Sequence, residues 1–221
     1  MQNKLLVWGA SGHALVVADI IRLCGRYEIV GFIDDVGQDE HPGFGSAMVF
    51  RDRAALDQQF ASGVRRLIMG FGDCAMRLRL AEFASGRGFE FVKAIHPHSS
   101  IGSDTSIGAG TVVAAGAVIS SGARVGQHVI ININAGVHHE CLIEDGAHVA
   151  PGATIGSCVS LGRGALVGIG AVVKNRVRIG AGAIIGAGAV VVEDVPDNVV
   201  AYGVPAKVKQ IISQEYPRLA G

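Results

Sequence analysis

The chain has 221 residues, with 19 Lys and Arg against 19 Asp and Glu, and is 49% hydrophobic with only 5% aromatic residues. So apolar a composition excludes a disordered chain, and the zero formal charge leaves no electrostatic footprint for nucleic acid. Gly accounts for 32 residues, about twice its usual ~7% share, and the scarcity of aromatics means a core built from Val, Ile, Leu and Ala. Four scattered cysteines, Cys24, Cys74, Cys141 and Cys158, lack Cys-x-x-Cys spacing and read as reduced thiols. The run Leu5 to Trp8 is too short for the apolar part of a secretory leader, and no stretch of ~18 apolar residues occurs. A soluble, cytoplasmic protein with no membrane or nucleic-acid partner is expected.

Residues 1–95 alternate strand and helix signals. Leu5 to Trp8 reads as a buried strand, followed by Gly9-Ala10-Ser11-Gly12-His13 and a helix from Ala14 to Leu23. A second strand, Ile29 to Ile33, ends in Asp34-Asp35, and Gly37 to Ser46, which contains Pro42, reads as a loop. A third strand, Leu67 to Gly70, leads to Gly72-Asp73 and a helix around Met76 to Ser85. This order predicts a small Rossmann-like parallel sheet whose ligands bind at the carboxyl ends of its strands. All three loops lie there. A Gly-rich turn before a helix can receive a phosphate on backbone N–H groups, and an acid after the second strand can accept hydrogen bonds from a ribose or base. Gly9-x-x-Gly12 is not the full dinucleotide fingerprint, because position 11 is Ser.

From Ile101 to Val191 an aliphatic residue recurs every six positions, sixteen times without insertion. Calling each of these i, the residue at i−2 is always small or short, as in Ala135 before Val137. Residues i−2 and i share one face of a strand, so each hexad is a short strand with two inward residues and a tight turn. Of 18 Gly in this stretch, eight fall at i+1, nine at i+3, and only Gly136 is out of phase. A period of six fits neither an α-helix nor a coiled coil; it predicts a parallel β-helix over 96–205. Three hexads close one triangular coil, giving a little over five coils and a prism ~25 Å long. Residues 206–216 are expected to form a short terminal helix in a 206–221 tail.

The Gly rule breaks between positions 132 and 144, where the turn positions read Asn132, Asn134, His138, Glu140 and Glu144. His139 sits between two of them, and His148 lies nine residues on, at an outward strand position. Departures from a strict pattern tend to mark functional sites. Imidazole, with an ordinary pKa of ~6.5, can take a proton from an attacking amine near neutrality. A carboxylate on its other nitrogen would fix the tautomer, and backbone N–H groups could stabilise an oxyanion. A second departure, Lys174-Asn175-Arg176 with Arg178, puts positive charge along an edge, either for phosphates or as a solvated face.

The hexad pattern resembles the left-handed β-helix of the hexapeptide-repeat acyltransferases, which usually form trimers. The hand is implied by that resemblance alone, since the general rule for parallel crossovers favours the right hand. Gly203-Val204-Pro205-Ala206-Lys207 looks like the segment that ends such β-helices. Gly9-Ala-Ser-Gly-His13 and Gly31-Phe-Ile-Asp-Asp35 resemble, more narrowly, bacterial nucleotide-sugar acetyltransferases, including UDP-4-amino-sugar N-acetyltransferases and sialic acid O-acetyltransferase-like proteins. That resemblance implies Ser11, Gly12 and His13 on the pyrophosphate or sugar, and Asp34 and Asp35 on the nucleoside. Gly72-Asp73 with Arg77 matches a third segment, although Cys74 stands where Asn is common. His139 of His139-Glu140-Cys141 would be the base, preferred over His138, with Glu140 as its partner and His148 contacting acetyl-CoA. Ile169 and Ala187, stacked on one corner, would line the CoA groove between adjacent prisms.

The activity so implied is acetyl-CoA-dependent N-acetylation of a nucleotide-linked amino sugar by a homotrimer, with no metal. Sugar O-acetylation is a near variant. A zinc carbonic anhydrase on the same fold would need three histidines converging across a subunit interface, from among His128, His138, His139 and His148, whose spacing does not match. A third alternative is a binding scaffold without catalysis, against which the His-Glu pair speaks.

Overall fold

The computed structural model describes residues 3–35, 44 and 47–212. The loop expected over 37–46 lies outside the described residues, Phe44 excepted.

The N-terminal unit runs β1 (Lys4–Trp8), α1 (Gly12–Cys24), β2 (Glu28–Ile33), β3 (Val49–Phe50), α2 (Ala55–Ala61), β4 (Arg66–Met69), α3 (Cys74–Ser85) and β5 (Glu90–Phe91). The sheet is parallel in the order β3-β2-β1-β4-β5. Because side chains alternate along a strand, Leu5 and Val7 of β1 pack with α1, while Leu6 and Trp8 pack with α2 and α3. The strand order reverses between β1 and β4, so the crevice where a ligand enters such a sheet is flanked by loops 9–13 and 70–73. The short β3, α2 and β5 carry too few periodic residues to have been legible in the sequence.

Seventeen two-residue strands follow, from β6 (Ala94–Ile95) to β22 (Val190–Val191). They stack as three parallel sheets, the faces of a triangular prism, visited in a fixed rotation. The first face holds β6 and every third strand after it, the second face the β7 series and the third face the β8 series. Residues i and i−2 point inward as the pattern predicts: Ala135, Val137, Ala147 and Val149 are all fully buried. Exposure remains only at the first rung, where Ile101 is 38% exposed.

The two glycine phases have different physical causes. Position i+3 adopts a left-handed backbone, as at Gly146 with φ 66°, a conformation that glycine enters without steric cost. Position i+1 lies against the next coil: a Cβ on Gly162 would sit 2.6 Å from the Ala181 nitrogen. One phase needs a backbone conformation and the other needs space.

The last coil is shortened. Val195 bridges Ile179 and Ala201 pairs with Ile185, each 16 residues apart rather than 18. The expected terminal helix is corrected over its described part: Ala206–Ile211 is strand β24, antiparallel to β23 (Val199–Gly203). β23 extends the first face and presents a free edge, and a ladder on that edge outcompetes an isolated helix too short to be stable in water.

The sheet unit docks on the first face and on the edge between the third and first faces. Ala94, Val112, Ala114 and Ile130 of the prism share a buried cluster with α1 and β1. Arg77 of α3, 1% exposed, clamps the two parts together. Its guanidinium donates to the Gly72 carbonyl at 2.9 Å on its own side, and to the His128 and Gly146 carbonyls at 2.8 and 2.7 Å on the prism. Lysine keeps the charge but concentrates its donors on one nitrogen that cannot reach both sides. Arg77→Lys should therefore destabilise the chain by about 3 kcal/mol or more in denaturant unfolding, since buried carbonyls are left unpaired.

Candidate active site

Ser11 precedes α1 at the N-cap position but makes no side-chain cap, so the first-turn N–H groups of that 13-residue helix are not closed by it. Gly12 is exposed, and a Cβ there would meet nothing within 4 Å. Loop 11–13 is thus open to an anion. The two acids behind it differ. Asp34 pairs with Arg51 at 2.7 Å. Asp35 accepts from Trp8 Nε1 at 3.0 Å and pairs with the Arg53 guanidinium, so both its oxygens are engaged within the fold. Burial alone would raise the Asp35 carboxyl, but the Trp8 N–H and Arg53 together hold it below the ordinary range.

Beneath the crevice lie three histidines around Arg77. The His13 and His148 rings are 6.4 Å apart. His148 Nε2 is 3.2 Å from Asn132 Nδ2, and its ring lies under Gly72, where a Cβ would come within 3.6 Å. His128 sits at a left-handed turn position, φ 54°, with its ring edge-on to Phe91 at 4.4 Å. Burial first, and the Arg77 charge second, push His13 and His128 down to about 4 and His148 to about 3. For His148 the His13 ring adds to this and a hydrogen bond to the Gly72 backbone opposes it. All three are neutral at pH 7. Among the described residues, His13 Nε2 and His128 Nδ1 are buried without a hydrogen-bond partner. Asp73 caps α3 by accepting from Met76 N at 2.7 Å. With Gly72 it lines a cleft of about 820 Å³ against Leu78, Arg163, Leu166 and Ile184.

His139 and Glu140 lie elsewhere. They occupy the edge between the second and third faces, and His139 Nδ1 is 3.0 Å from Glu140 Oε2. This edge is opposite the first face, on which the sheet unit sits. Their side chains are 56% and 68% exposed. Ile169, 62% exposed, and Ala187 stack on the edge between the first and second faces, where Gly188 N donates to the Ile169 carbonyl at 2.8 Å. The residues singled out from the sequence therefore fall into three places in one chain: the crevice with His148 below it, the Ile169 edge, and the His139 edge. The histidines weighed for zinc do not converge within the chain, because His128 and His148 pack under the sheet unit.

Two contributors entered only in other roles, His128 as a possible zinc ligand and Arg77 within the third resembling segment. His128 fills a glycine phase, at i+3 of Val125, so the same rule that exposed Glu140 would have found it. Arg77 sits in a helical stripe with the buried Leu80, Ala81 and Ala84, and a charged residue in such a stripe is itself a signal.

A parallel sheet docked on a hexapeptide prism, with a His-Glu pair on one edge, defines an acyltransferase of the left-handed β-helix class. Residues 4–83 match the PglD N-terminal domain family. The structure is similar to a histidine variant of perosamine N-acetyltransferase from Caulobacter crescentus, solved with CoA and GDP-perosamine, at 36% identity over 93% of this chain and 96% of that one, TM-score 0.88. It is similar also to the acetyltransferase domain of PglB from Neisseria gonorrhoeae FA1090, solved with acetyl coenzyme A (32% identity, 95% and 100% covered, TM-score 0.86). A third match is WeeI from Acinetobacter baumannii AYE (26% identity, 93% and 99% covered, TM-score 0.80). The chain belongs to the family of nucleotide-sugar acetyltransferases. Among the described residues no helix is long and apolar enough to cross a membrane, and all four cysteines are free.

The desolvation of these three histidines should make stability acid-sensitive. Their folded pKa values, about 4, 4 and 3, lie below the ordinary 6.5, so below pH ~6.5 the unfolded chain takes up protons that the folded chain does not. Stability present above pH ~6.5 is lost progressively toward pH 4 and, for His148, toward pH 3. The melting temperature should fall between pH 7 and pH 5. His128→Asn, which suits the left-handed position, should show a smaller fall than the parent.

Proposed function

We propose that this enzyme transfers an acetyl group from acetyl-CoA to the amino group of a nucleotide-linked sugar, with His139 as general base. The observation that carries the mechanism is the 3.0 Å contact between His139 Nδ1 and Glu140 Oε2. With Nδ1–H donating to the carboxylate, Nε2 keeps a lone pair directed away from Glu140. The amine nitrogen attacks the thioester carbonyl carbon, forming the C–N bond as the carbonyl π pair moves to oxygen. Nε2 takes a proton from the ammonium, and the oxyanion collapses to break the C–S bond. The imidazolium then returns the proton to the departing thiolate. Glu140 stabilises the imidazolium between these steps. The choice of nitrogen over oxygen as acceptor is supported by the perosamine N-acetyltransferase similar to this chain over 93% of its length.

Ser11, Gly12 and His13 would hold the pyrophosphate or sugar at the open helix end, with Asp34 and Asp35 toward the nucleoside and Gly72 and Asp73 on the other side of the crevice. Asp35, engaged by Trp8 and Arg53, contributes by positioning that loop. His148, neutral and fixed by Asn132, would face the acetyl group, and Ile169 and Ala187 would line the groove for the CoA arm.

The placement of these groups supports a site shared between chains. The crevice and the His139 edge are on opposite sides of the prism, so on this reading the base comes from a neighbour. The second face, between the His139 and Ile169 edges, is flat and apolar: Val118 and Val172 are each 45% exposed beside Gly136 and Thr154. A homotrimer packed through such surfaces completes each site from two subunits.

His139→Ala should lower kcat by at least ~10² in a thiol-release assay and leave KM for both substrates nearly unchanged; near-normal turnover would remove His139 from the chemistry. Gly12→Glu should abolish binding by placing a carboxylate at the anion site without disturbing the fold. Co-expressed with His139→Ala chains, it should recover about a quarter of the wild-type rate, since each site draws on two subunits. Failure of mixed assemblies to recover any activity would place the whole site in one chain.

A further inference from the structure

The His139 edge carries one more reactive group. Cys158 stands 18 residues beyond Glu140, hence one coil along the prism, at the same left-handed turn phase, φ 58° for both. Its Sγ lies 3.7 Å from the Glu140 Oε2 that is 3.0 Å from His139 Nδ1. One donor atom from each of the three falls within 4.8 Å of the other two. A tetrahedral zinc ion with ordinary bond lengths requires donor separations of about 3.4 Å between nitrogen and oxygen and about 3.6 Å between oxygen and sulfur. Two of the three separations are within about 0.4 Å of those values; the third, from His139 Nδ1 to Cys158 Sγ, is under 4.8 Å, and all three side chains are reachable from solvent in one chain.

We propose that His139 Nδ1, the Glu140 carboxylate and the Cys158 thiolate form an inhibitory site for Zn(II) and similar borderline-soft divalent cations, with water completing the tetrahedron. Imidazole, carboxylate and thiolate together suit zinc, whereas magnesium and calcium take oxygen donors. Binding releases the Cys158 thiol proton to solvent. It also obliges the neutral imidazole to carry its proton on Nε2, because Nδ1 now donates its lone pair to the metal. Nε2 then has no lone pair to accept a proton from an amine. Metal binding stands on the geometry alone; the inhibition rests on His139 being the base.

The test uses the full-length protein freed of metal by chelator and titrated with Co(II). The wild type should show thiolate-to-cobalt absorption in the near ultraviolet, displaced by Zn(II). Cys158→Ser and His139→Ala should weaken that binding about tenfold or more, with Cys24, Cys74 and Cys141 as internal controls. In a thiol-independent assay of the acetylated product, Zn(II) should inhibit the wild type. Cys158→Ser, compared with its own metal-free rate, should need about tenfold more. Absence of the absorption band, or its persistence in Cys158→Ser, overturns the site. Zinc bound through Cys158 without loss of turnover overturns the inhibition and, with it, the assignment of His139 as base, while leaving the metal site standing.

Discussion

One buried guanidinium holds the architecture together. Among the described residues Arg77 has no carboxylate partner; its hydrogen bonds go to main-chain carbonyls on both sides of the interface and to the Cys74 sulfur. A charge withdrawn from water in this way is tolerated only where its donors are satisfied, and a planar fork can satisfy them across two structural units at once. Burial pulls its pKa down, opposed by Cys74 and Asp73, yet a guanidinium starts so high that the group remains a cation. The orientation of the crevice over the first face follows from this clamp. Burial keeps the surrounding imidazoles neutral, and the permanent positive charge of Arg77 adds to that effect.

The same docking separates the functional groups. A triangular prism has three faces and three edges, and a unit seated on one face cannot approach the edge opposite. The crevice therefore meets His148 in its own chain, while the Ile169 edge stands apart from it and His139 and Glu140 face outward. On the proposed reading, two distinct histidine environments serve two tasks. Half-buried, neutral His148 is suited to donating or accepting a fixed hydrogen bond. The exposed His139, backed by a carboxylate, is suited to gaining and losing a proton.

Much of the prism was legible before any coordinates, because its rule is local. Two inward residues per hexad and two glycine phases recur at fixed spacing, and each recurrence repeats the same constraint. Places where glycine is missing, at Glu140, Cys158 and His128, stand out for the same reason. The terminal strand Ala206–Ile211 was not legible, because its pairing depends on the free edge of a strand that has no local signature. Nor was the role of Arg77, since its acceptors on the prism lie 51 and 69 residues away.

The sequence by itself determined the repeat, the direction of every inward side chain in it, and the pairing of His139 with Glu140, which are neighbours in the chain. It also placed loops 9–13, 34–35 and 72–73 at the carboxyl ends of the sheet strands, because alternating strands and helices leave few other arrangements. Only the tertiary structure decided which face the sheet unit covers, that Asp35 is tied to Trp8 and Arg53, and that His13, His128 and His148 surround one arginine. Those outcomes depend on contacts between residues far apart in the chain, where desolvation and shape, rather than local periodicity, set the energy.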